Sequence, residues 1–508
     1  MPAMSVRTGT LLLAASLSSI FITSLAGSKA RSDQSSAQMQ SIRLHPKNPH
    51  YFLFRGKAIT LITSGEHYGA VLNADVDGHK YLATIDSDGL NYTRIFGGSY
   101  VEVPAKSFGI LRNDLAPQPN RFIAPWMRSD SPGYAGGGNK FDLTKWNPEY
   151  FQRYREFLVD ASKRGIVVEI SLFSSHYDEM MWKISPFNPS NNVNNTSDID
   201  WKKLQTLENG NILAFQEQYA RRLVEEASPF DNVIFEIQNE PWSDRPTLTS
   251  VVNPYLRPPG RDQYPNSIDI ADDLSVAWQA RVAEWITQQE SSRPHHLIAQ
   301  NYSNFLASVR KLSPAVDVVN FHYAYPDAVS LNYGLDKAIA YDESGFLGRD
   351  DDAYRRQAWN FMLAGGGIFD ALDYSFSPGH EDGQDLEPNG PGGGSPTFRH
   401  QLRILREFLD KFSILDLRPD ATTVKHAGGV VAHALSNPGR EYAIYLDGDG
   451  PVDLTLSLPS GNYRVEWLNT KTGATDKSEN FHPAGGDKTL TSPNFENGIA
   501  LRLTRNGD

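Results

Sequence analysis

The chain has 508 residues, a formal net charge of −12 and no cysteine. Its 40% hydrophobic and 21% charged residues are those of a globular protein, too long for one ordinary core. The acidic surplus argues against nucleic acid or an anionic membrane as partner, since both favour a basic face. The missing cysteines exclude disulfides, thiolate nucleophiles and zinc–cysteine sites.

The first residues read as an export signal. Arg7 precedes an apolar run over 11–25, and Ser24-Leu25-Ala26 or Ser28-Lys29-Ala30 supplies a small-x-small cleavage site. The run is shorter than the ~20 residues of a membrane span. The expectation is a signal peptide over 1–30 and a disordered linker over 31–41. The mature protein should be secreted or periplasmic, off the membrane, and a monomer.

From 42 to 55, His45-Pro46 and Asn48-Pro49 predict a short hairpin that closes the bottom of a barrel. Strand candidates then alternate with helices. The strands are 57–63, 90–96, 166–173, 233–239, 296–301, 316–323, 337–343 and 366–374, rich in β-branched and aromatic residues. The clearest helix opens with Asn147 as cap and Pro148 in first position, and closes at Gly165. Others cover 81–88, 212–226, the stretch holding Leu274, Trp278, Val282 and Ile286, 353–363 and 398–412. Long loops at 97–140, 185–200 and 375–397 follow strands and are placed to flank a cleft; the last is a candidate lid. The pattern over 42–415 predicts an α/β fold, a (β/α)8 TIM barrel. From 418 the strands become short and alternating, as in Tyr463-Arg-Val-Glu-Trp467, and predict an antiparallel β-sandwich over 418–508.

The chemistry gathers at strand ends, where parallel barrels place their active sites. The fourth strand ends in Asn239-Glu240-Pro241, and proline cannot continue a ladder. The seventh ends in Tyr341-Asp-Glu343. Two such carboxyls facing one cleft are what glycosidic hydrolysis requires: one protonates the leaving oxygen, and the other attacks the anomeric carbon or activates water. Asn239 can donate to the hydroxyl beside the reacting carbon. Tyr323 can donate to the nucleophile, and Arg94 can hold it ionised by charge. Arg94 in an apolar strand needs an acidic partner, either at the site or in a structural pair. His322 can orient a carboxylate or bind a hydroxyl. Trp242 and Tyr374 offer flat faces for sugar rings. Glu66 and His176 are further candidates for substrate contact. Glu102 also follows a strand, Glu169 lies within one, and Glu236, in register with Glu240, reads as a structural carboxylate of the barrel interior. His67 and His176 have no neighbours at the spacing of a metal set, and no glycine motif holds a nucleotide, so neither metal nor cofactor is expected.

Asn239-Glu240-Pro241, Glu343, His322-Tyr323 and Arg94 together resemble clan A glycoside hydrolases, in particular the cellulase-like family 5. The resemblance spans roughly 57–413. It implies a (β/α)8 barrel, retention of configuration, Glu240 as acid/base and Glu343 as nucleophile. Where that family has a tryptophan ending strand eight, this chain reads Leu372-Asp-Tyr-Ser-Phe376. The leading expectation is a secreted β-glycoside hydrolase acting on a plant or microbial saccharide, first of all a β-glucan. The alternatives are an exo-acting β-glycosidase on another sugar, such as a mannoside or galactoside, or a non-catalytic carbohydrate-binding barrel.

Overall fold

The computed structural model describes residues 40–506, apart from 67, 105, 253–266 and 293–294. The expected signal peptide and linker, and His67, lie outside the described residues. Eight parallel strands form the barrel: β1 Leu61–Gly65, β2 Tyr92–Phe96, β3 Val167–Ser174, β4 Val233–Asn239, β5 Leu297–Asn304, β6 Val318–His322, β7 Ala338–Glu343 and β8 Ile368–Leu372. They pair in the order β1-β8-β7-β6-β5-β4-β3-β2. Between β1 and β2 side chains and one loop bond complete the ring. The Asn91 amide accepts from Ile62 N–H at 3.0 Å and donates to the Thr60 carbonyl at 2.8 Å, and Phe96 N–H donates to the Tyr68 carbonyl at 3.0 Å.

Helices cover the outside: α1 Gly78–Ser87, α2 Pro148–Arg164, α3 Ile212–Ala227, α4 Asp273–Gln289, α5 Asp327–Asn332, α6 Asp351–Leu363 and α7 Pro396–Leu409. The ends of α2 are dictated by local sequence. Asn147 caps the Glu149 N–H, Pro148 has no N–H to lose, and Gly165 adopts φ +73°, a left-handed conformation that glycine enters without strain.

The barrel interior is layered. At the bottom, Leu61, Tyr92, Val167, Ile234, Leu297, Val318, Ala338 and Ile368 give every strand one apolar contributor. Phe52 and Phe54, from the strand Asn48–Phe54 of the entry hairpin, plug that layer. Each large apolar side chain buried there contributes about 1.5–3 kcal/mol. Above it the interior turns ionic, with Arg94, Glu169, Glu236, Asn301, Asn320, Asp342 and Asp370 all buried. The change of layer puts polar chemistry next to the C-terminal mouth.

Several local expectations change. The first predicted strand breaks at Thr60: Lys57–Ile59 pairs with the entry hairpin, and only Leu61–Gly65 joins the barrel. The loop expected over 97–140 ends in a two-stranded hairpin, Trp126–Pro132 with Asn139–Trp146. After β4 the chain makes an antiparallel excursion, Pro246–Val252 with Ser267–Ala271, that joins β5 through one bridge, Ile270 to Ser303.

The C-terminal region holds a six-stranded antiparallel sheet and a three-stranded one. Leu454, Leu456, Tyr463, Val465, Trp467 and Leu501 pack in their shared core. Arg355 of α6, fully buried, donates to Thr470 at 2.6 Å and to the Asn497 carbonyl at 3.0 Å, and Arg356 pairs with Asp447 at 2.6 Å. No helix of the described residues is long and apolar enough to cross a membrane.

Candidate active site

The Glu240 backbone turns sharply out of β4, with φ +47° and ψ 53°. A left-handed non-glycine residue costs on the order of 1–3 kcal/mol and persists only where its surroundings hold it. Here Glu240 N–H donates to Asn301 Oδ1 at 2.9 Å, and Ser175 Oγ donates to the Glu240 carbonyl at 2.7 Å. The carboxylate is held too: Tyr177 Oη donates to Oε2 at 2.9 Å, and His322 Nδ1 lies 3.0 Å from Oε1.

Glu343 ends β7 and faces the same space. Tyr323 Oη donates to its Oε1 at 2.8 Å, and Tyr68 Oη to its Oε2 at 3.0 Å. Arg94 reaches Oε2 at 3.2 Å, and His322 Nδ1 lies 3.5 Å from Oε1. Burial alone would push this carboxyl up. The charges of His322 and Arg94 and the Tyr323 hydroxyl outweigh it and hold the group below the usual carboxylate range. His322 is the mirror case: burial would lower it, but Glu343, Asp342 and Glu240 around it raise it well above the usual histidine value. The acidic neighbours thus favour the protonated form of His322, which lies beside both glutamates. One carboxylate oxygen from each glutamate and one His322 nitrogen all lie within 4.8 Å of one another.

Arg94 answers both readings of a buried charge. It clamps Glu236 through Nε at 2.8 Å and Nη2 at 2.5 Å, and also donates to Asn239 Oδ1 at 2.7 Å. Glu236 is thus the interior carboxylate expected, further bonded by Ser171 and Asn301. By distance, Glu240, His322 and Glu343, or Glu236, His322 and Asp342, could each touch one cation. Most of these carboxylates already accept hydrogen bonds: Arg94 donates to Glu236 and Glu343, while Asn301 and Asn320 donate to Asp342 Oδ2 at 3.2 Å and 2.7 Å.

A cavity open to solvent stands above the pair. Asn239, Glu240, Tyr323 and Glu343 line it with Tyr68, Tyr177, Glu102 and Asn113, and Phe96, Phe108, Ile110, Leu115, Phe346 and Leu372 supply apolar walls. Tyr68, Phe108, Tyr177, Glu240, Tyr323 and Phe346 all adopt positive φ, so backbone strain concentrates at this one place. Arg94 and His322 support the pair from beneath.

Four candidates for substrate contact sit elsewhere. Trp242 is buried, edge-on to His322 at 5.3 Å between ring centroids. Tyr374 offers no open face, because its ring packs against Gly390 and Gly392, where a Cβ would come within 2.0 Å and 2.1 Å of it. His176 is wedged between Tyr100 and Trp182, at 5.6 Å and 5.8 Å. Glu66 is buried beside Tyr81, whose hydroxyl accepts its N–H at 3.3 Å. Leu372, not an aromatic residue, lines the cavity from β8. Sequence reasoning misses Tyr68 and Tyr177; the available signal is their place just past the ends of β1 and β3, the setting that singles out Tyr323.

No protein-family model matches the sequence, and no curated protein does. Solved structures do. A glycoside hydrolase superposes with TM-score 0.60 at 12% identity, over 92% of this chain and 97% of its own. A family 5 glycoside hydrolase from Bacteroides vulgatus does so with TM-score 0.60 at 12% identity, over 92% and 93%. The chain resembles glycoside hydrolase family 5 in fold. Within this barrel, Arg94, Asn239, Glu240, His322, Tyr323 and Glu343 occupy the ends and interior of β2, β4, β6 and β7 and form one bonded network.

Proposed function

We propose that the protein is a retaining β-glycoside hydrolase. Glu343 attacks the anomeric carbon while Glu240 protonates the leaving oxygen. Glu240, now a carboxylate, then takes a proton from water, which hydrolyses the glycosyl–Glu343 ester with a second inversion. The observation that carries the reading is the spacing of the two glutamates, with oxygens within 4.8 Å. Retaining pairs stand ~5 Å apart, whereas inverting pairs leave ~6.5–9.5 Å for a water. Glu343, held below the usual carboxylate range under three hydrogen-bond donors and the charge of His322, suits a nucleophile. Asn239, lining the cavity beside Glu240, is placed for the hydroxyl next to the reacting carbon. The reaction needs no metal or organic cofactor. The substrate class is a β-linked oligosaccharide or polysaccharide, with β-glucan first, and the leader-like first thirty residues support action outside the cytoplasm.

The test is chemical rescue. Glu343→Ala and Glu240→Ala should each remove nearly all hydrolysis of aryl β-glycosides while the proteins stay folded. Azide should restore turnover in both. The glycosyl azide should have inverted configuration from Glu343→Ala and retained configuration from Glu240→Ala. Undiminished activity in either variant refutes the assignment.

A further inference from the structure

One carboxyl in the cavity is not used by this mechanism. Glu102, on the loop that follows β2, is buried and lines the same space as Glu240 and Glu343. Asn113 donates to its Oε2, and Tyr100 Oη to its Oε1 at 3.3 Å. Asn113 is itself fixed, its Oδ1 accepting from Leu115 N–H at 2.9 Å. Two oxygens offer about four acceptor positions, so two donors leave Glu102 with capacity facing the cavity.

The loop carrying Glu102 is pinned across the barrel mouth. Arg112 grips Asp385, on the loop after β8, through two bonds of 2.8 Å. Leu111 N–H donates to the Asn389 carbonyl at 2.7 Å, and Arg112 N–H to Asn389 Oδ1 at 2.7 Å. Since β1 stands between β8 and β2, this clasp roofs the β1 side. The leaving group departs past its proton donor, Glu240 on β4. In the hydrolase reading, the sugar that stays on the enzyme would lie on the other side, under the clasp.

Resting on the hydrolase reading above, we propose that Glu102 binds hydroxyls of the terminal, non-reducing sugar and that the clasp ends the cleft there, so that cleavage proceeds from chain ends. A carboxylate can accept from two neighbouring hydroxyls at once, as befits a receptor for a vicinal diol. Burial raises this carboxyl to about 7, with Asn113 and Tyr100 opposing. The charges of Glu343 and Glu240 across the cavity add to the rise, so its hydrogen-bonding sense changes near neutral pH.

The experiment uses the full chain on aryl β-glycosides, on versions lacking single hydroxyls, and on oligosaccharides labelled at the reducing end. Glu102→Gln should lower kcat/KM about 10- to 100-fold on the parent glycoside, the worth of a charged hydrogen bond. The loss should vanish on the analogue missing the bound hydroxyl. A limb near pH 7 in the wild-type profile should be absent from the variant. Labelled chains should shorten from the unlabelled end without internal fragments. Arg112→Ala, at a half-exposed side chain, should admit internal cleavage. Internal fragments from the wild type, or an equal loss for Glu102→Gln on every analogue, would overturn the inference and leave the hydrolase standing. A wild type inert on all glycosides would overturn both.

Discussion

Tyr177 Oη donates to Glu240 Oε2 at 2.9 Å while accepting from Asn239 Nδ2 at 2.7 Å. The phenol thus joins the proposed acid to the residue placed for the neighbouring hydroxyl. It is held there by Asp244, whose carboxylate accepts the N–H groups of His176 and Tyr177, each at 2.8 Å. Tyr177→Phe should remove the bond and keep the ring. Since a hydrogen bond to a charged group is worth about 1.5–3 kcal/mol, kcat/KM should fall about 10- to 100-fold. The loss should be larger for poor leaving groups, which need the acid, than for nitrophenolate, which does not. Equal losses on both would detach Tyr177 from proton transfer.

Arg94 is the main guanidinium neutralising the acidic layer beneath the site. Arg94→Met should leave Glu236 without its cation. Breaking a buried pair by removing one partner costs about 3–5 kcal/mol. The denaturation midpoint should drop accordingly, and activity should go with it. A variant of normal stability would show that the interior acids are carried by their amide partners alone.

Stability should also depend on pH in a stated direction. Burial raises Glu169 to about 8, where the neighbouring Glu236 and Asp342 add to it, and raises Asp244 to about 7. A carboxyl raised by folding binds its proton more tightly in the native state. Its contribution is complete below the unfolded value near 4 and is lost as pH rises through 7 to 8. His322, also raised, adds in the same sense above its unfolded value near 6.5. Glu343, depressed, acts oppositely: its contribution is lost as pH falls below the unfolded value. The melting temperature should be highest at about pH 4–5 and decline as pH rises through 7 to 8, and Glu169→Gln should flatten the decline. A melting temperature rising from pH 6 to 9 would contradict this account.

The barrel, and the meeting of Glu240 and Glu343 at its mouth, were legible because their signals are local. Apolar β-branched runs mark buried strands, and Asn239-Glu240-Pro241 ends one of them visibly. The hairpin Trp126–Pro132 with Asn139–Trp146 was not legible, since its register slips twice and its outer residues are polar. Thr475–Phe481 and Gly486–Thr491 are largely exposed strands without the alternation that would reveal them. Trp242 and Tyr374 carried the right ring in the right neighbourhood. What decides their role is what packs on each face, and that depends on residues brought close only by folding.

Gly390 shows the same point as a prediction. A Cβ there would lie 2.0 Å from the Tyr374 ring. Gly390→Ala should cost about 1–3 kcal/mol by overpacking and disturb the loop that carries Asn389. Thermal melting would register the first effect, and kcat/KM on aryl glycosides the second. An alanine variant that melts like the wild type would mean the loop can move aside.

The ring of strands is stitched between β1 and β2 by the Asn91 side chain rather than by a ladder. A cylinder so made has a preferred line of yielding, and the roof over the cavity is anchored on either side of it. In the hydrolase proposed above, small widening along that line would loosen the grip on a spent sugar while the two glutamates, on strands laddered on both sides, kept their aim.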